Sequence, residues 1–197
     1  MIGKWKGKFL FYYTSQNNGF IIIEVLTVLP ILSMIIFLVF YAVSSNINNI
    51  SKLDSEIEMQ QQAQFILDFM ESKIIESIGV SYLQDIEGFQ KHNTNERVYI
   101  SKIIFKNPPE RSDKGYIFSL SKDSKNNYYN LKYGIGLTGG AADELGNYID
   151  GIEVEPIPSD KKYTEANGIK IKIDLKVEGN ILTFENSYYF RNSHRRN

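Results

Sequence analysis

The spacing of apolar residues divides the chain into three stretches. From Phe20 to Val43 nearly all of the 24 residues are apolar, and Glu24 is the only charged one. From residue 44 to about 79, apolar residues recur every three or four positions, which predicts an amphipathic helix. Beyond residue 80 they alternate with polar residues, which predicts strands.

The first stretch predicts a membrane-spanning helix. As a helix, residues 20–43 measure about 36 Å, and the hydrocarbon layer of a bilayer is about 30 Å thick. Pro30 lies inside this span, where it removes one backbone donor and crowds the carbonyl of Leu26. We expect a local helix kink at Pro30, where neighbouring helices or the hydroxyl of Thr27 or Ser33 could satisfy the freed group.

The second stretch predicts that the helix continues outside the membrane and ends at Gly79. Its outer half is expected to pack on the globular part of the same chain. A dimeric coiled coil is disfavoured because no heptad is sustained. The predicted apolar stripe consists of Leu53, Ile57, Ala63, Ile66, Leu67, Met70, Ile74 and Ile78.

The third stretch predicts a β-rich head over residues 80–197. Two segments read as loops, the polar 85–96 and the glycine-rich 134–146. The predicted strands are Val98–Phe105, Tyr116–Leu120, Tyr128–Tyr133 and Ile152–Ile157, followed by a hairpin of Ile169–Val177 with Leu182–Phe190. The predicted fold class is therefore α+β, with a long N-terminal helix packed on a mainly antiparallel sheet.

Charge places the predicted helix in a membrane with a defined orientation. Lys4, Lys6 and Lys8 precede the span, whereas Lys52 is followed by three acids after it, Asp54, Glu56 and Glu58. The positive-inside rule predicts a cytoplasmic N-terminus and an external C-terminal domain. The chain has no cysteine, so the external domain is expected to fold without disulfides. A net charge of −1 argues against a general nucleic-acid binder.

Glu24 is the residue in the span that needs an explanation. A carboxylate within an apolar helix costs on the order of 2.5–3.5 kcal/mol even on permissive insertion scales, so a cationic partner is expected. A cut between Gly19 and Phe20 would create such a cation, the new amino group of Phe20. On a neighbouring subunit, that amine could meet Glu24 and neutralise both charges within the layer.

The segment Gly19-Phe20-Ile21-Ile22-Ile23-Glu24, with the apolar helix behind it, resembles the class III signal of type IV pilins and pseudopilins. The resemblance implies that a prepilin peptidase cuts after Gly19 and methylates the amino group of Phe20, and that Glu24 guides filament assembly. It divides the chain into a leader at 1–19, a transmembrane half-helix at 20–43, an extracytoplasmic half-helix at 44–79 and a pilin head at 80–197.

Three features resemble the PilW or J-type minor pseudopilins: the helix 62–78, the late hairpin and the ending Tyr188-Tyr189-Phe190-Arg191-Asn192. The resemblance implies a minor structural subunit of a type IV pilus or a type II secretion-like filament. Its partners would be other pilin subunits, the prepilin peptidase, the assembly platform and the membrane. The subunit would start as a single-pass membrane protein and end in a cell-surface filament.

Other functions are weighed against this one. No enzyme motif is present, and neither a cofactor nor a metal site is expected. Asp143, Glu144 and Asp150 lack the spacing of a calcium loop and are expected to be solvated. A basic C-terminal group that could touch DNA phosphates in a competence pseudopilin consists of Arg191, His194, Arg195 and Arg196. The remaining alternative is an unprocessed, membrane-anchored ligand-binding domain.

Overall fold

The computed structural model describes residues 18–124, 127–177 and 179–191, without the side chains of residues 18–21, 48 and 177. Helix α1 covers Asn18–Glu76. Seven strands follow: β1 Gly79–Asp85, β2 Val98–Lys106, β3 Gly115–Lys122, β4 Tyr129–Ile135, β5 Asp143–Ile157, β6 Gly168–Val177 and β7 Asn180–Tyr189. A long N-terminal helix with an antiparallel sheet is confirmed. Leader residues 1–17 lie outside the described residues.

The described residues form two units, which divide between Lys52 and Leu53. In the second unit, one face of α1 packs into the core of the sheet. The buried residues of this face are Met59, Ala63, Ile66, Leu67, Met70 and Ile74. Packing of the outer helix on its own sheet is thereby confirmed.

Three members of the predicted stripe do not belong to this face: Ile78 is buried but lies beyond the end of α1, and the other two are exposed. Leu53 and Ile57 are 56% and 50% exposed. At about 100° per residue, they lie roughly 90° to 130° around the helix from the middle of the buried face. The predicted stripe drifts because its early residues follow a different face from its later ones.

The predicted helix end at Gly79 is wrong by three residues. α1 ends at Glu76, and Gly79 is the first residue of β1. The Ser77 hydroxyl donates to the carbonyl of Lys73, and the N–H of Ile78 already donates to Lys106 in β2. Sheet pairing therefore ends the helix before the glycine is reached.

The seven strands follow chain order across one sheet, and every pairing is antiparallel. β2 has a second partner, because Val98 and Tyr99 pair with Val154 and Glu153 of β5. The pairings β2–β3, β3–β4, β4–β5 and β5–β2 thus close on themselves. The sheet is curled and barrel-like, which the sequence did not predict.

The predicted strands and hairpin are found at nearly their expected positions, with two corrections. β1 was not predicted, since its buried residues do not alternate strictly with polar ones. β5 begins at Asp143 rather than Ile152, so the glycine-rich loop is only residues 136–142. Gly146 lies in β5 where α1 packs closely on the strand. A Cβ at this position would come within 2.7 Å of the Gln62 and Ile66 side chains of α1. The glycine serves close packing and does not mark a loop.

Two tyrosines fix the helix and loops to the sheet. Tyr163 lies in the connection from β5 to β6 and is fully buried. Its hydroxyl is 2.6 Å from the carbonyl of Val154 and 2.9 Å from that of Glu96. The hydroxyl of Tyr188 in β7 donates to the carbonyl of Leu67 in α1. Burial raises the pKa of Tyr188 to about 12.

Candidate functional site

The first half of α1 is an apolar helix that no part of the described chain covers. Every large apolar side chain from Ile22 to Val43 is about half exposed or more, between 49% and 71%. Among the described residues, Ile22–Glu76 is the helix long and apolar enough to cross a membrane. Covering these side chains is worth on the order of 10 kcal/mol, so the segment requires lipid or other helices around it.

Glu24 lies on this uncovered helix. Its side chain is exposed, and within the part of the chain that the structure describes its carboxylate has no hydrogen-bond or ion-pair partner. Its backbone carbonyl accepts a hydrogen bond from the Thr27 hydroxyl at 2.9 Å. The carboxylate is therefore available to a group outside this chain.

Gly19 and Phe20 lie in the first turn of α1, and the side chain of Phe20 is outside the described set. Phe20 precedes Glu24 by four residues, so the two positions share one helix face one turn apart. The Gly19–Phe20 peptide bond is thus next to the helix N-terminus, where the first backbone N–H groups have no partner within the helix.

Pro30 lies within α1, which continues on both sides of it. The Thr27 hydroxyl donates to the carbonyls of Ile23 and Glu24, and the Ser33 hydroxyl donates to that of Pro30. Neither hydroxyl bonds the carbonyl of Leu26, so of the sources considered in the sequence analysis neighbouring helices remain. The kink at Pro30 stays a prediction.

A polar cluster that the sequence analysis missed holds the other end of α1. The hydroxyl of Tyr116 lies 2.7 Å from both the Glu76 and the Asp113 carboxylates. Arg111 forms ion pairs with the same two acids, at 3.2 Å and 3.0 Å. Lys73 lies 5.2 Å from the centre of the Tyr116 ring. The cluster ties the last helical turn to the β2–β3 connection.

The electrostatics of this cluster favour the charged form of the Asp113 carboxylate. Hydrogen bonds from Arg111, and then from Tyr116, lower the pKa of Asp113 to about 2. Burial, with the two neighbouring carboxylates, raises the pKa of Tyr116. The sequence signal was the Arg111-Ser112-Asp113 spacing shortly after Pro108-Pro109, but Glu76, which completes the cluster, is remote in sequence.

The structure does not bring together the acids considered for calcium. Glu144 accepts a hydrogen bond from Asn130, while Asp150 pairs with Lys176 at 3.8 Å. Among the described residues there is no group of three histidine, cysteine or acidic side chains that could hold a metal ion. His92 lies in the polar 85–96 segment, whose position in the sequence suggests an exposed side chain, but it is half-buried and stacks on the Tyr82 ring.

The basic group considered for DNA lies mostly beyond the described residues. Arg191 is exposed after β7, and His194, Arg195 and Arg196 are outside the described ranges.

Comparison with known proteins assigns no family. No protein-family model matches the chain. No curated protein matches its sequence significantly.

Proposed function

We propose that this chain is a prepilin, and that its mature form is a minor subunit of a type IV pilus or a related pseudopilus. The observation that carries the proposal is the carboxylate of Glu24, which lies without a described partner on an uncovered apolar helix just after Gly19-Phe20. The proposed subunit has an assembly role and performs no catalysis.

Cleavage after Gly19 would change the setting of Glu24. Phe20 would become the N-terminus, and Glu24 would lie in the second turn of a helix that starts with a positive amine. The helix dipole stabilises acids mainly within the first turn, so in the second turn the ion pair with an amine is the larger effect. Pairing with the amine of a neighbouring subunit neutralises a charge that otherwise opposes burial.

The uncovered helix fits two successive environments. Before assembly, lipid covers residues 20–43, with the sheet domain outside the membrane. After assembly, helices of other pilin subunits cover the same side chains. Leu53, Ile57 and Phe65 support this second step, because they are half exposed and turned away from the helix face that packs on the sheet.

The proposed partners follow from these steps. A prepilin peptidase would remove residues 1–19 and methylate Phe20. The assembly platform would move the subunit from the membrane into the filament, where other pilins surround it.

The decisive experiment is the mature N-terminus of the full chain, expressed with an active prepilin peptidase and measured by intact-mass and peptide mass spectrometry. We expect a chain that begins at Phe20 with one added methyl group. Gly19→Val should block the cut, because the peptidase needs a residue without bulk there, whereas Ile22→Val should be processed normally. A wild-type chain that keeps residues 1–19 would refute the proposal and favour an anchored ligand-binding domain.

A further inference from the structure

Strand β7 forms an open edge of the sheet. It is the last strand in the sheet order, and among the described strands it pairs only with β6. All ten of its residues, Asn180–Tyr189, pair in one unbroken register. An edge of this length presents a continuous row of backbone donors and acceptors.

The groups at the free edge can be identified from the ladder. The N–H of Phe190 donates to Asn167, towards β6. Because successive residues of a strand direct their backbone groups to opposite sides, the odd-numbered residues direct theirs outwards. These are Ile181, Thr183, Glu185, Ser187 and Tyr189. The Ser187 N–H has a local acceptor in the Asn186 side chain.

β7 lacks the features that normally protect an edge. Lysine, proline and bulges keep edge strands from pairing, and β7 has none of them. The opposite edge differs, since β1 has seven residues and two register irregularities. Ile181 and Tyr189 also expose 53% and 61% of their surface near the two ends of β7. Among the described residues, β7 is therefore the less protected edge, with Glu185 as its single charged side chain.

A groove beside β7 supplies room for side chains. It has a volume of about 350 Å³ and is lined by Glu71, Ile75, Ser187, Tyr188, Tyr189 and Arg191. It lies between α1 and β7, where an inward side chain of an added strand would enter. In strand addition, backbone hydrogen bonds provide affinity and such pockets provide specificity.

We propose that the β7 edge and this groove bind an extended segment of a partner polypeptide that alternates aliphatic residues with lysines. β7 already pairs with such a segment, because β6 alternates isoleucine with lysine, and Lys170 reaches Glu185 at 2.7 Å. Glu185 is the only charged residue of β7, and its half-exposed carboxylate, already paired with Lys170 of β6, can also accept a lysine from an added strand. The groove itself carries both signs, Glu71 and Arg191. This site does not depend on cleavage or on Glu24.

The β7 strand of a second copy of the chain suits this edge less well than a segment with lysines. Two β7 strands paired antiparallel about the middle of Ile181–Tyr189 would place the two Glu185 carboxylates opposite each other. Like charges in directly opposed positions destabilise a sheet.

The test uses the full chain in detergent and a fluorescent peptide with the sequence of residues 168–177. Thr183→Pro blocks the edge, because it removes an outward N–H and leaves the β6 ladder intact. Thr183→Val is the matched control, since both variants lose the hydroxyl that donates to Asp174. We expect saturable binding by wild type and Thr183→Val, and at least tenfold weaker binding by Thr183→Pro. Equal binding by the two variants, or none by wild type, would overturn the proposal.

Modified peptides test the edge without changing the protein, in case Thr183→Pro misfolds. Two peptides carry N-methyl groups on alternate amides, one on the aliphatic and one on the charged positions. In an added strand only one set of alternate amides faces β7. The peptide methylated on that set should lose binding, and the other peptide should retain it. Equal binding by the two peptides would contradict strand addition. A peptide with its three lysines replaced by glutamate should bind at least tenfold more weakly. Wild-type chains that dimerise without peptide, when Thr183→Pro does not, would identify a second copy as the occupant and refute the proposed partner.

Discussion

At the scale of single residues, two carboxylates show how the surroundings decide the role of an acid. Glu24 lies exposed on an apolar helix and has no partner within the described ranges. Asp113 receives hydrogen bonds from Arg111 and Tyr116. The first acid is available to a group outside the described residues and is proposed to pair with a cation, whereas the second stabilises the fold that contains it.

Replacing Glu24 tests its proposed role in assembly. Glu24→Gln should leave cleavage and methylation nearly unchanged, because the cut bond lies in the first turn of α1, four residues before Glu24. Incorporation into sheared filaments should fall at least tenfold, since the neutral amide cannot pair with the amine of Phe20. Thr27→Val, one turn further on, serves as the control. Normal incorporation of Glu24→Gln would show that the carboxylate has no assembly role.

Asp113 makes stability depend on pH in a defined window. Its pKa falls from 3.8 to about 2 on folding, so its contribution is present above pH 3.8 and is lost as pH falls towards 2. Asp113→Asn should lower the free energy of unfolding at pH 7 by about 1 kcal/mol, since the site is partly solvated. The gap to wild type should close between pH 4 and pH 2 in thermal melts in detergent. The exposed Asp160→Asn should show no such trend, and a gap for Asp113→Asn that persists at pH 2 would contradict this account.

At the scale of secondary structure, α1 carries two apolar faces with different tasks. Beyond residue 53, one face is buried against the sheet, and Leu53, Ile57 and Phe65 point elsewhere. The hydrophobic pattern shows that both sets are apolar. Only contact with the sheet separates them, because helical spacing alone does not say which face meets its own domain.

Two isoleucines distinguish these faces. Ile66 is fully buried, so Ile66→Ala should lower the free energy of unfolding by about 2–5 kcal/mol. Ile57→Ala should change it by less than about 0.5 kcal/mol, yet reduce filament incorporation, because Ile57 is proposed to face other subunits. Chemical unfolding in detergent and the sheared filament fraction measure the two effects. A large loss of stability in Ile57→Ala would contradict the assignment.

At the scale of the whole molecule, the chain combines an apolar helix without described cover and a sheet domain with its own core. The helix requires an apolar environment, and the domain does not. This division is what a membrane-anchored subunit needs if it is later to move into another apolar environment.

Anchoring can be tested with a charge at the centre of the span. An aspartate there costs about 2.5–3.5 kcal/mol, so alkaline carbonate should extract a larger fraction of Leu32→Asp than of wild type. Ser45→Asp adds the same charge beyond the span and should remain bound. Release of wild type would show that residues 20–43 do not span the bilayer.

The sequence predicted those helices and strands whose hydrophobic pattern is continuous along the chain, and it missed those that depend on distant residues. The span, the outer helix and the β6–β7 hairpin were found because their patterns are continuous along the chain. β1 and the first half of β5 were missed. The residues of β1 do not alternate, and in β5 Gly146 looks like a turn residue until α1 is seen beside it.

The sequence by itself determined the apolar span, its lone acid Glu24 and the α+β class, because hydropathy and periodicity are properties of neighbouring residues. The tertiary structure alone decided the curl of the sheet, the cluster at Glu76 and the open edge at β7. Each of these depends on which distant residues meet. Such pairings are selected by the shared burial of apolar faces across the whole domain, and no local pattern encodes that selection.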